Sequence, residues 1–329
     1  MKCRLLPLLL ACCALAHADD QADLAKADLA FAKGNYRDAY HYYTQLAEKG
    51  HARAQARLAQ MYEEGILVPR DLDKARSLYQ NTSQTLENAA SSGDTSASDP
   101  DTQYQLALAY LDGRGVEKDE WKAASLLQQA AESLHGKAQL RLAKMYADGQ
   151  GVARDRTLAL QWYARSAGLG EAEAQYRMGL AYAQGHGIVQ DNEQARRFFA
   201  RAAEQNHGNA QYQLGRALEY GRGAEVDMPQ ALDWYHKAAE NGSIRAQKLL
   251  GMMYRDGWKV RKDSAQAVKW LEMAANQGDK DTQVMLGFMY AEGHGVKRNR
   301  QRAIEWLKKA EAAGDIGARE ALIGMGVIP

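Results

Sequence analysis

The chain has 329 residues, 46% hydrophobic and 25% charged, a globular balance that excludes a wholly disordered polypeptide. With 42 Lys and Arg against 41 Asp and Glu and no basic block, bulk charge gives no footing for nucleic-acid binding or for attraction to an anionic membrane. Five prolines among many Ala, Leu and Gln favour helix.

The first eighteen residues predict an export signal. Lys2 and Arg4 are basic, Leu5 to Leu15 is an apolar run too short to span a bilayer as a stable helix, and Ala16-His17-Ala18 has the small-x-small form of a cleavage site. Cleavage after Ala18 leaves a periplasmic or secreted chain that starts at Asp19 and, without Lys2 and Arg4, carries 40 basic against 41 acidic residues. No later segment is apolar enough for a transmembrane helix. A second reading takes "LLAC", ending at Cys12, as a bacterial lipobox, with lipidation there anchoring the protein to a membrane; Leu10 is an unusual residue for that motif. Cys3, Cys12 and Cys13 are the whole cysteine complement, so cleavage leaves no disulfide, thiol nucleophile or thiolate metal site.

Residues 19–50 hold "ADLAFAKGNYRDAYHYYTQLAEKG", a tetratricopeptide-like hairpin without a Gly-x-Gly turn and a natural N-terminal cap. From 51 to 314 the chain repeats. Gln103, Gln139, Gln175, Gln211, Gln247 and Gln283 stand 36 residues apart; Gln55 lies 48 before Gln103, so the first interval holds a 12-residue insertion, near 81–101. A small residue precedes each glutamine, a Tyr follows by seven (Leu218 in one copy), and a glycine by ten, Gly149 among them. Six further on comes Asp71, Asp119, Asp155, Asp191, Asp227, Asp263 or Asn299, then an alanine, then a bulky pair such as Trp162-Tyr163 or Trp234-Tyr235.

Each spacing has a physical reading. Positions three and seven after the glutamine share a helical face, the glycine ends that helix in a left-handed conformation, and the Asp caps the free amides of the next. Asp, Ala and the bulky pair fall at i, i+4, i+7 and i+8 of a second amphipathic helix, and Gly170, Gly242, Gly278 or Gly314 closes it. Gly179, Gly215, Gly251 and Gly287 allow close helix approach. One unit cannot bury its apolar face alone; stacked units can. The expected fold class is all-α, a right-handed α-solenoid of stacked helix-turn-helix repeats with a 36-residue period.

The copies "AQYRMGLAYAQGHGIVQDNEQARRFFARAAEQN" and "TQVMLGFMYAEGHGVKRNRQRAIEWLKKAEAAG" closely resemble the Sel-like repeat family, relatives of the tetratricopeptide repeats. The resemblance spans about residues 50 to 322 and seven in-register copies. It implies a scaffold that binds proteins or peptides, and, for exported bacterial members, roles in envelope assembly, polysaccharide secretion or host contact. Some exported relatives are cysteine-rich and linked to β-lactam binding; their half-repeat cysteines are absent here, so that activity is not carried over. The inserted "NTSQTLENAASSGDTSASDPD" (81–101) reads as a helix extension followed by a Ser/Asp/Gly loop, and 315–329 as a closing helix with an apolar tail.

No enzyme chemistry emerges. "ADGQGVARD" (147–155) looks like a phosphate-cradling Gly-x-Gly turn, but it follows a helix and recurs as "GRGVEKD", "GHGIVQD", "GRGAEVD" and "GHGVKRN". No His pairs at ligand spacing with another His or a Cys, no Ser has the nucleophile-elbow form, and the Asp series is explained by capping. The expectation is no enzyme, no cofactor and no metal. Binding is expected on the concave face lined by the first helices, at positions one, two and five after the glutamine, which vary between copies. The candidates are Tyr104, Arg141, Tyr176, Arg177, Tyr212, Gln213 and Arg216, a Tyr/Arg/Gln patch of hot-spot residue types. The tyrosines have a competing reading as packing against the adjacent helix, and Leu249, Met252 and Met285 as core. The expected partner is a protein or peptide, with cell-wall peptide (peptidoglycan) or polysaccharide as the alternative and nucleic acid excluded.

Overall fold

Each 36-residue beat folds into two helices of thirteen residues joined by a seven-residue turn. The computed structural model describes residues 20–92, 99–114 and 116–328. The expected export signal, its cleavage at Ala18 and the alternative lipid site at Cys12 lie outside the described residues, as does the stretch 93–98 of the insertion. Every regular element among the described residues is a helix.

Two compact units divide the chain at Leu169/Gly170. The first carries α1 (20–32), α2 (Tyr36–Glu48), α3 (Ala52–Glu64), α4 (Leu72–Ser92), α5 (Pro100–Asp112), α6 (Glu120–Glu132), α7 (Gly136–Asp148) and α8 (Arg156–Gly168). The second carries α9 (Ala172–Gln184), α10 (Asn192–Glu204), α11 (Gly208–Tyr220), α12 (Met228–Glu240), α13 (Ile244–Asp256), α14 (Ser264–Asn276), α15 (Lys280–Glu292), α16 (Arg300–Ala312) and α17 (Ile316–Gly324). The insertion lengthens α4 to 21 residues where its counterparts have 13. At the other end Leu322 of α17 is buried with Leu307 and Ala310 of α16, and Val327 and Ile328 pack on that cluster.

The turn shows why the beat is kept. Gly149 takes φ 76° after α7, and its N–H donates to the Met145 carbonyl at 2.8 Å, closing the helix. Asp155 then accepts the Leu158 N–H at 2.9 Å to open α8, and Asp119, Asp191, Asp227, Asp263 and Asn299 cap their helices alike. The second glycine does more than turn the chain. A Cβ on Gly151 would sit 2.2 Å from the carbonyl oxygen of Glu120, the first residue of α6. Gly223 meets Asn192 and Gly295 meets Ser264 in the same way, both at 2.3 Å. The turn of one repeat therefore rests directly on the backbone of the repeat before it.

The framework glutamine is the other inter-repeat joint. Buried Gln247 donates its Nε2 to the Ala239 carbonyl at the end of α12 (2.8 Å), and its Oε1 accepts from Gln277 Nε2 after α14 (2.8 Å). Gln211 repeats this with Ala203 (3.1 Å) and Asn241 (3.0 Å). One carboxamide thus joins three helices, using a helix-end carbonyl that has no intrahelical partner. Apolar packing fills the rest: Phe199, Tyr235, Leu250 and Trp270 belong to one buried cluster of the second unit, and Gly215 lets the Tyr235 ring press against α11.

Candidate functional site

In the first unit the candidates sit on α5 and α7. Tyr104 is half-buried, its ring 4.9 Å from the His135 ring at 33°. His135 caps α7: Nδ1 accepts the Ala138 N–H at 3.0 Å, which places the ring proton on Nε2, 3.7 Å from Asp101 Oδ1. Asp101 also receives Arg57 at 2.7 Å. Burial pushes the Asp101 carboxyl up; the His135 hydrogen bond and the Arg57 and Arg53 charges outweigh it and hold the group below the usual carboxylate range. Tyr104 is therefore part of a ladder tying α3, α5 and α7. Arg141, half-buried on α7, has a buried Nε without a hydrogen-bond partner. It lines a groove with Arg114, Lys137, Leu140 and Lys144, with Tyr104 at its side.

The second unit repeats the ladder. Tyr176 is buried to 7% exposure, its ring 4.8 Å from His207 and 6.1 Å from Phe199. His207 caps α11 through Nδ1 (3.1 Å from Ala210 N) and turns Nε2 to Glu173 at 2.9 Å. Glu173 also accepts Arg177 Nε at 2.6 Å, so exposed Arg177 is engaged along its own helix. Burial above all raises the Tyr176 phenol, whose hydroxyl is hydrogen-bonded to Gln213. Tyr212 is half-buried, 5.8 Å from the Tyr235 ring, and hydrogen-bonded to Arg216.

A pocket opens beside α11. Gln213 and Arg216 line it with Gln190, Arg196 and Arg222, over a floor that includes Phe199. Arg216 lies over the Tyr220 ring at 5.0 Å and Arg222 over the same ring at 5.4 Å. Arg196 Nε donates to the Gly223 carbonyl at 2.8 Å, and Arg216 Nε is buried with no partner. The structure so separates the two kinds of candidate. Positions two and five after the glutamine (Arg141 and Lys144; Gln213 and Arg216) face grooves, while the tyrosines one after it are occupied by packing, Tyr176 most completely.

Sequence reasoning did not find Arg196 and Arg222. Arg222 fills the variable slot of the Gly-x-Gly turn, also held by Gln150 and His186, and Arg196 lies on a second helix. Only the fold brings both to α11. Among the described residues no helix is long and apolar enough to cross a membrane, and no three His, Cys, Asp or Glu side chains are grouped to hold a metal ion.

The family described as "Sel1 repeat" matches eight segments: 18–51, 52–82, 100–133, 136–171, 172–207, 208–243, 244–279 and 281–315. The first covers the α1–α2 hairpin. The chain is similar to the crystal structure of a Sel1 repeat protein from Oxalobacter formigenes, with 31% identity and TM-score 0.68, covering 94% of this chain and 90% of that one. It is also similar to c5321, described as a protective antigen in uropathogenic Escherichia coli strains displaying an SLR fold, with 28% identity, TM-score 0.58, 96% of this chain and 74% of that one. No curated protein matches the chain.

Proposed function

We propose, on the premise that this chain belongs to the Sel1 repeat family, that it is an exported scaffold that holds a protein or peptide segment along the grooved face of its first helices. The family is a non-enzymatic repeat scaffold of the kind that mediates protein–protein contact. The observation that carries the reading is the division of labour on these helices. Framework positions and the tyrosines one after the glutamine are consumed by packing and inter-repeat hydrogen bonds, and Arg141, Lys144, Gln213 and Arg216, at variable positions two and five after it, line grooves. Arg at a groove with aromatic and alkyl surface is a common anchor of protein recognition. Export is supported by Lys2, Arg4, the Leu5–Leu15 run and Ala16-His17-Ala18, and by likeness to a protein described as a protective antigen. The reading extends to a place in envelope assembly or host contact, the roles that the family resemblance implies for exported members.

Photo-crosslinking residues placed at Arg141 and at Gln213 in intact cells test the binding reading, with exposed Arg197 as control. The expected result is a discrete crosslinked partner at 141 or 213, absent at 197 and lost when Lys144 and Arg216 are changed to Glu. Identical crosslinks at all three sites would overturn it. Intact mass of the protein recovered from the cell envelope reads the export step: the expected chain starts at Asp19, and a lipid adduct on Cys12 would replace cleavage at Ala18.

A further inference from the structure

We propose that the pocket between α10 and α11 is a carboxylate receptor, and that the segment the protein holds there is an acidic peptide. This rests on the peptide-binding reading above and names the chemistry of the ligand.

Three guanidinium groups, Arg196, Arg216 and Arg222, converge on one pocket. Among the described residues none of the three pairs with a carboxylate. The acids nearby are already committed: Glu193 accepts Arg197 at 2.5 Å, and buried Glu219 accepts Tyr235 Oη at 2.5 Å and Lys259 Nζ at 3.0 Å. The chain as a whole is close to neutral, so an uncompensated triple charge in one cleft is a local departure rather than the consequence of a basic protein. Arg216 is the most constrained of them. Its Nε is buried without an acceptor, and the Tyr220 face and the Tyr212 hydroxyl hold the guanidinium in place. A fixed, partly dehydrated guanidinium with unused donors favours a charge-assisted bond to an incoming anion. Arg222 also lies over the Tyr220 ring, at 5.4 Å, so one aromatic side chain holds both guanidinium groups.

The surroundings select a peptide carboxylate over a phosphate. Phe199, Ala195 and Ala217 supply an apolar floor for a side-chain stem, and Gln213 offers a carboxamide to a backbone. The start of α10 does not favour a phosphate, because Asp191 takes the Gln194 N–H at 2.9 Å and leaves a negative charge at that helix start. One carboxylate suits this balance better than a dianion.

The experiment uses the full chain and two fluorescein-labelled ten-residue peptides, amidated at the C-terminus. One carries three central glutamates; the other has glutamine in their place. Fluorescence anisotropy is read at low and at physiological salt. The expected result is binding of the glutamate peptide at least about tenfold tighter than the glutamine peptide, with the difference abolished in Arg222→Gln and in Arg216→Gln and largely retained in Arg222→Lys. Circular dichroism melts of each variant separate loss of the pocket from loss of fold; Arg222 lies on an exposed turn and provides the variant least coupled to folding. Equal binding of both peptides, or a preference untouched by Arg222→Gln in a folded variant, overturns the carboxylate assignment and leaves the peptide-binding reading standing. Binding of neither peptide overturns the assignment as well, and crosslinking at Gln213 then decides the broader reading separately. Displacement of a bound fluorescein-labelled tripolyphosphate by inorganic phosphate, without binding of the glutamate peptide, identifies a phosphate pocket and also overturns it.

Discussion

Leu134 stands in a left-handed conformation, φ 61°, at the end of a second helix, where Gly170, Gly242 and Gly278 stand in other repeats. The side chain is 71% exposed, so it gains little from packing while its Cβ crowds the backbone. Leu134→Gly is expected to stabilise the first unit by about 1 kcal/mol, less whatever the freer unfolded chain takes back. Urea unfolding measures it, and a fall in the midpoint would refute the strain argument. The framework glutamine gives the opposite case. Gln247→Leu removes both hydrogen bonds that join α12, α13 and α14 and takes the acceptor from the Gln277 amide, while the Ala239 carbonyl keeps the Gly242 N–H at 3.2 Å. A loss of about 2 kcal/mol is expected. Spacing exposed this glutamine without exposing its role, because its partners lie eight residues back and thirty ahead, in two other helices. The Asp caps were fully legible, since cap and capped amide are three residues apart.

At the scale of helices, α12, α13 and α14 enclose His236. Its ring lies 5.7 Å from the Trp270 ring and 6.1 Å from that of Tyr254, whose hydroxyl is 3.3 Å from Nε2. Burial is the main cause that lowers the His236 pKa below 6.5; Glu240 and Asp233 oppose it and Lys269 adds to it. The folded state therefore resists a proton that the unfolded chain accepts. The stability this contributes is complete above 6.5 and drains away as pH falls from 6.5 toward the lowered folded value. Thermal melts between pH 7.5 and 5 should show a decline that His236→Gln flattens; an unchanged slope in the variant would rule this group out as its source. The same scale explains what sequence could and could not say of the site. Helical phase placed Gln213 and Arg216 on one face. It could not show that Tyr176 would be covered by Phe199 and His207, nor that Arg196 and Arg222 would meet Arg216, because these pairings cross between helices.

Within each unit the main packing runs between helices adjacent in the chain, with α3 against α5 in the first and α11 against α13 in the second the next step out. Energy in such a chain is a sum over neighbours, so damage stays close to its origin. Gly151→Ala drives a Cβ into the Glu120 carbonyl and strains a position at φ 66°. Hydrogen exchange should accelerate in α6, α7 and α8, with α13 to α16 unchanged; uniform acceleration along the chain would show one cooperative unit instead. The glutamine joint also bears on how such a chain lengthens. Every connection it needs is written within one repeat and its two flanks, so a tandem copy of residues 208–243 arrives with its own joints intact. Inserted after Ser243, that copy should fold and leave the mean residue ellipticity unchanged. A fold specified this way can grow by duplication of 36 codons, each event adding one more face on which the groove positions are free to diverge.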